Sequence, residues 1–158
     1  MNPGWKIRAE REAARQAVCA EYAELLRRAT TKEEMVAIYK RGVDWALENK
    51  VPSYQLLCDE CADLGDYGLF VDKEFKGEVL TELPVYIFHH CLGEIHVGLN
   101  VDKAIIPMLY FANGCDMRVS GIESISPVKV PVYIFGENKV LTETSDNIQC
   151  TIYRKEVK

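Results

Sequence analysis

Pro84-Val85-Tyr86-Ile87-Phe88, Pro107-Met108-Leu109-Tyr110-Phe111 and Pro131-Val132-Tyr133-Ile134-Phe135 are three versions of one phrase, with prolines 23 and 24 residues apart. In each version Phe stands four places after Pro. Proline lacks the N–H that a ladder requires, so it opens a strand or sits on an edge. The residues after it are largely β-branched or aromatic, the types that fit a pleated, half-buried surface. Turn residues close the runs: Gly93, then Asn113-Gly114, then Gly136 and Asn138. An alternating strand follows each turn, at Ile95-His96-Val97, Met117-Arg118-Val119 and Val140-Leu141-Thr142. Ile148-Gln149-Cys150-Thr151-Ile152-Tyr153 reads as a fourth, partial copy.

A repeat of this period marks one supersecondary unit used several times, each too small to bury its own apolar face. Two architectures satisfy it. In a β-solenoid the units stack as coils, and Phe88, Phe111 and Phe135 point inward as a ladder. In a meander or small sandwich the units are successive hairpins. The constant place of Phe favours stacking. Glu78-Val79 after Gly77 echoes Glu94-Ile95 after Gly93, which marks an imperfect early unit.

Ahead of the repeats the chain reads as helical. Residues 3–29 form one Ala-, Glu- and Arg-rich run, with Ala14, Val18, Tyr22, Leu25 and Ala29 spaced to share a face. The opposite face carries Glu10, Arg11, Glu12, Arg15, Glu24, Arg27 and Arg28 and reads as a solvated charged surface. Thr31-Lys32-Glu33-Glu34 is a capping box that opens a second helix ending at Asn49-Lys50. A third helix starts at Pro52 or Ser53 and runs through Leu64, where Gly65 closes it. The fold expected is therefore α+β: about three helices over residues 1–64, then a short β-solenoid-like repeat domain over 65–158.

At 158 residues the chain is long enough for one domain or two small ones. Its net charge of −5 offers no global basic field for nucleic acid or an anionic membrane. No apolar run approaches the length of a bilayer span, and the charged amino terminus has no signal-peptide character. The expected location is the cytoplasm of a bacterial host or the virion. In that setting the six cysteines are free thiols, open to alkylation only after denaturation.

Few residues carry a chemical signal. Cys58-Asp59-Glu60-Cys61 is a CxxC, but it falls in a helix that follows another helix, a poor setting for redox work. His89, His90 and Cys91 would have to complete any zinc site built on it. His89 and His90 also fit a metal-assisted hydrolase, because a turn after a strand is commonly exposed. The equivalent turns, Ala112-Asn113 and Gly136-Glu137, support no such chemistry. Glu94, Asp116 and Glu137 follow the three turns and would form an acidic column in stacked coils. Neither GxGxxG nor GxxxxGK[ST] occurs. No catalytic, cofactor-binding or metal residue is assigned, and no cofactor.

Val43-Asp44-Trp45-Ala46-Leu47-Glu48-Asn49-Lys50-Val51-Pro52-Ser53, Leu109-Tyr110-Phe111-Ala112-Asn113-Gly114-Cys115 and Val132-Tyr133-Ile134-Phe135-Gly136 together resemble small uncharacterised proteins of phages and prophages of gut bacteria. The likeness covers most of the chain and transfers no catalytic residue. It implies a non-enzymatic interaction protein, either a virion or assembly component or a host-interfering protein. The alternatives are a small-molecule-sequestering anti-defence protein and the hydrolase using His89 and His90. The expected partners are a further copy of the chain and a protein still unknown, with no nucleic acid and no membrane. Assembly is expected at the last strand, Gln149 to Arg154, because Arg154, Lys155, Glu156 and Lys158 place charge beyond that edge rather than along it.

Overall fold

In a computed structural model, which describes residues 3–122, 127–143 and 148–155, the charged run near the start of the chain is two helices rather than one. They are α1 (Gly4–Arg15) and α2 (Ala20–Arg28). The break is at Ala17, whose φ is 50°. Val18 donates its N–H to the Ala13 carbonyl at 3.2 Å and Ala17 donates to Ala14 at 3.2 Å, the bond pair of a Schellman ending. Alanine stands where glycine is usual, so composition gives no sign of the stop. The break also re-phases the buried face. Trp5, Ala9, Ala13, Leu26 and Ala29 are buried, whereas Ala14 is exposed and Val18, Tyr22 and Leu25 are half-buried. Lys6 is buried too, and its Nζ donates to the carbonyls of Arg27 and Ala29, each at 2.6 Å. It thereby caps the end of α2.

The second expected helix also divides, at Gly42, into α3 (Lys32–Arg41) and α4 (Val43–Asn49). Thr31 caps α3 as the box requires, accepting from the Glu34 N–H at 3.2 Å. The Glu34 carboxylate returns to Thr30 instead of Thr31, at 3.3 Å to the N–H and 3.0 Å to the hydroxyl. Ser53 caps the short α5 (Tyr54–Glu60), and a single 3-10 turn follows at Gly65–Tyr67. These helices form one compact unit that runs to Tyr67; a second begins at Gly68.

Among the described residues the second unit holds nine strands: β1 (Leu69–Val71), β2 (Glu74–Leu80), β3 (Val85–His89), β4 (Leu92–Val97), β5 (Met108–Asn113), β6 (Asp116–Gly121), β7 (Val128–Phe135), β8 (Lys139–Glu143) and β9 (Ile148–Lys155). Odd-numbered strands form one sheet in the order β1-β3-β5-β7-β9, and even-numbered strands form the other in the order β2-β4-β6-β8. Every strand pair in both sheets is parallel. Successive hairpins are therefore excluded, since hairpin strands are antiparallel.

The expected α+β fold, with about three helices and a β-solenoid-like repeat domain, is overturned as well. The described residues form an α/β fold of five helices and two parallel sheets. The stacked-coil reading rested on a ladder of Phe88, Phe111 and Phe135, and that ladder does not form. Phe88 pairs with Phe111, but Phe111 pairs with Ile134. Tyr86 pairs with Leu109 and Leu109 with Val132, an offset of 23 residues each time. The proline spacing widens from 23 to 24, so the third phrase slips by one position against the sheet.

Two aromatic columns result. Phe70, Phe88 and Phe111 stack inside the core, with ring centroids 5.5 and 4.8 Å apart. Tyr110, Tyr133 and Tyr153 stack at 4.6 and 4.9 Å on the opposite face of the same sheet. Phe135 lies 6.4 Å from Tyr110, away from the phenylalanine column. From the other sheet, Phe75, Ile95, Met117 and Val140 complete the core. Gly93, with φ 106°, allows β2 and β4 to approach closely, because a Cβ there would run into the Phe75 carbonyl. Phe111 is fully buried in the middle of the core, so Phe111→Ala should cost about 3–5 kcal/mol in urea denaturation.

Candidate functional site

Three passages from the five-stranded to the four-stranded sheet, those after β3, β5 and β7, are tight corners in which a side chain satisfies the backbone. At the β3–β4 corner the Cys91 thiol lies 3.5 Å from the carbonyls of both Phe70 and His89. At the β5–β6 corner the Cys115 thiol lies 3.6 Å from the Phe88 carbonyl and 3.7 Å from that of Asn113. Asn138 repeats the pattern at the β7–β8 corner, donating to Phe135 at 2.8 Å and Phe111 at 3.4 Å. Going the other way, the Cys91 N–H donates to the Cys115 sulfur at 3.4 Å, and the Cys115 N–H to Asn138 Oδ1 at 3.0 Å. These side chains form a ladder that does the hydrogen-bonding work of the corners. The bond to Cys91, and then burial, push the Cys115 pKa up. Its sulfur is a protonated structural group, far from a thiolate nucleophile.

His89 is the last residue of β3 and only 6% exposed, contrary to the open turn expected of it. Burial pushes its pKa down to about 3; the nearby His90 adds to the shift and Asp72 opposes it. His90 has φ 52° and donates its N–H to the Asn113 carbonyl at 2.9 Å. Its ring rests against Gly114, where a Cβ would lie 2.6 Å from Nδ1. Among the described residues no three His, Cys, Asp or Glu side chains are grouped to hold a metal ion. Cys58 lies in α5, while Cys61 is the first residue beyond it and is buried, its pKa pushed up to about 11 by that burial.

The acidic column does not form either. Glu94 is in register with Arg118, and Asp116 with Lys139, so these carboxylates alternate with cations across the sheet. Glu137 sits in a corner and donates its N–H to Asn113 Oδ1 at 3.0 Å. The sequence places all three after turns; which residues lie side by side depends on strand register.

Two features stand apart from these corners. The first is the exposed rung β9, the strand at whose edge the sequence places assembly. Ile152 pairs with Val132 in a core row and Tyr153 continues the tyrosine column, yet they are 38% and 50% exposed. The second is a cleft of about 550 Å³ in the helical unit, whose lining includes Arg8, Arg11 and Arg15 of α1 together with Lys50. Arg11 and Arg15 belong to what reads as a solvated charged face. The turn that brings Lys50 beside α1 has no sequence signature.

No family model, curated protein or solved structure matches this chain. Among the described residues no helix is long and apolar enough to cross a membrane.

Two outcomes follow from this geometry. All six cysteines are free, but Cys19 is exposed, which corrects the expectation that alkylation requires denaturation. A thiol reagent should label Cys19 in the native protein and reach Cys61, Cys91 and Cys115 only after unfolding, as read by mass spectrometry of the labelled peptides. The second outcome concerns acid. His89 titrates near 6.5 when unfolded and about 3 when folded, so between those values the unfolded state binds more protons. Its contribution to stability is complete above about pH 6.5 and is lost as pH falls towards 3. The melting temperature should drop across that window, and His89→Gln should flatten the slope.

Proposed function

We propose that the protein is a non-enzymatic interaction protein of phage or prophage origin that assembles with a second copy of itself through β9. The supporting observation is the last described rung, where a core-row residue (Ile152) and an aromatic-column residue (Tyr153) are both exposed. Only one edge of β9 is paired within the sheet. Natural sheets cover, charge or pair such an edge.

Charge argues for the arrangement of the two copies. Parallel stacking of one β9 on another would set Arg154 beside Arg154 and Lys155 beside Lys155, a repulsive pairing. Antiparallel pairing about a two-fold axis between Thr151 and Ile152 sets Arg154 opposite Gln149 and Lys155 opposite Ile148. Closed two-fold assembly is also the commonest form of self-association. Glu156 and Lys158 lie outside the described residues and do not enter this argument.

Sedimentation at micromolar concentration should give a mass of at least two chains, and Ile152→Lys with Tyr153→Lys should reduce it to one. A monomeric wild type would overturn the assembly. The phage context rests on the sequence resemblance, and gene neighbourhood tests it. Virion, assembly or anti-defence genes alongside are expected; a setting of host housekeeping genes would remove it.

A further inference from the structure

The cleft in the helical unit bears on a different activity and does not depend on pairing at β9. Arg8, Arg11 and Arg15 stand at i, i+3 and i+7 of α1 and so share one stripe of the helix. Lys50 joins them, so the lining holds four cations and one carboxylate, Glu12, in a chain whose net charge is −5. The Glu12 carboxylate is already engaged, accepting from both the Ser53 N–H and the Ser53 hydroxyl. It ties α1 to the loop before α5 and forms part of the cleft's frame.

The cations differ in how free they are. Arg8 pairs with Asp59 at 2.9 Å and lies 3.9 Å from Glu60. Among the described residues Arg11, Arg15 and Lys50 have no carboxylate partner, and the Gln16 carboxamide has no hydrogen-bond partner. Elsewhere in the same unit Arg27 and Arg28 are paired, both with Glu24, at 2.6 and 2.9 Å. An unneutralised concave cluster gathers anions, and its walls strengthen the field inside it. The guanidinium fork matches phosphate oxygens in pairs, whereas lysine adds a point charge. The volume is that of a small-molecule site.

We infer that this cleft binds a small molecule carrying two or more linked phosphate groups, which Arg11, Arg15 and Lys50 neutralise. A single carboxylate would leave most of that charge uncompensated.

Isothermal titration with inorganic tripolyphosphate tests the assignment on the full chain. Saturable binding that weakens with added salt is expected. Arg11→Ala with Arg15→Ala should weaken it by about tenfold or more, as the loss of charge-assisted bonds implies. Both positions are exposed, so circular dichroism and melting should stay close to wild type. Lys50→Gly is a second variant that suits the φ of 56° there, and it should also weaken binding. Arg27→Ala with Arg28→Ala removes the same charge outside the cleft lining and should leave the affinity nearly unchanged. The assignment fails if tripolyphosphate gives no binding at millimolar concentration, or if the two double variants lose affinity equally. It fails too if a DNA duplex binds more tightly and loses that binding in the Arg11/Arg15 variant, which would make the stripe a nucleic-acid surface.

Discussion

Parallel strands cannot be joined by a two-residue turn, and the β unit depends on how this chain meets that constraint. After β1, β3, β5 and β7 the chain passes directly into the other sheet and returns one position further along the first. The connection that parallel pairing requires is therefore itself a strand, and the core lies between the two sheets. The difficulty moves to the corners, where backbone groups turn away from both ladders. Cys91, Cys115 and Asn138 meet it by bonding the carbonyls of their own corner and of the one before. An unmet buried carbonyl or N–H costs about 1–3 kcal/mol, so several such corners decide whether the stack holds.

This explains why the chemical reading of the cysteines and histidines misleads. A thiol beside a pair of histidines looks like a reactive or metal-binding group when only the order of residues is known. In the fold, Cys91 spends its sulfur on two carbonyls, and His89 is buried as a neutral ring. Asn138 in the corresponding place of the next unit is the informative comparison. Cysteine and asparagine share little reactivity, but both can accept from an N–H and donate to a carbonyl.

The strand phrase was legible because proline, β-branched and aromatic residues act locally, and most boundaries of β3 to β8 follow from them. Register was not, because it is set by neighbours about two dozen residues away. One additional residue between the second and third prolines put Ile134, not Phe135, beside Phe111. The same distinction holds among the helices. Thr31 announces a cap through its own side chain, whereas Ala17 takes up a left-handed conformation that alanine does not advertise. The cationic cleft was half legible. The arginine stripe of α1 is visible in the spacing, but Lys50 reaches it through tertiary structure alone.

The pairing pattern also bears on how the unit is born. Every strand from β3 onward pairs with one whose residues precede it by 17 to 24 positions. Its template is therefore already synthesised when it leaves the ribosome, and no strand waits for a distant partner. Synthesis at roughly 5–20 residues per second is slow beside the closing of so short a loop. The sheets can lengthen one rung at a time, in step with translation, and each arriving rung covers the edge that the nascent chain would otherwise leave open to its neighbours on the same polysome.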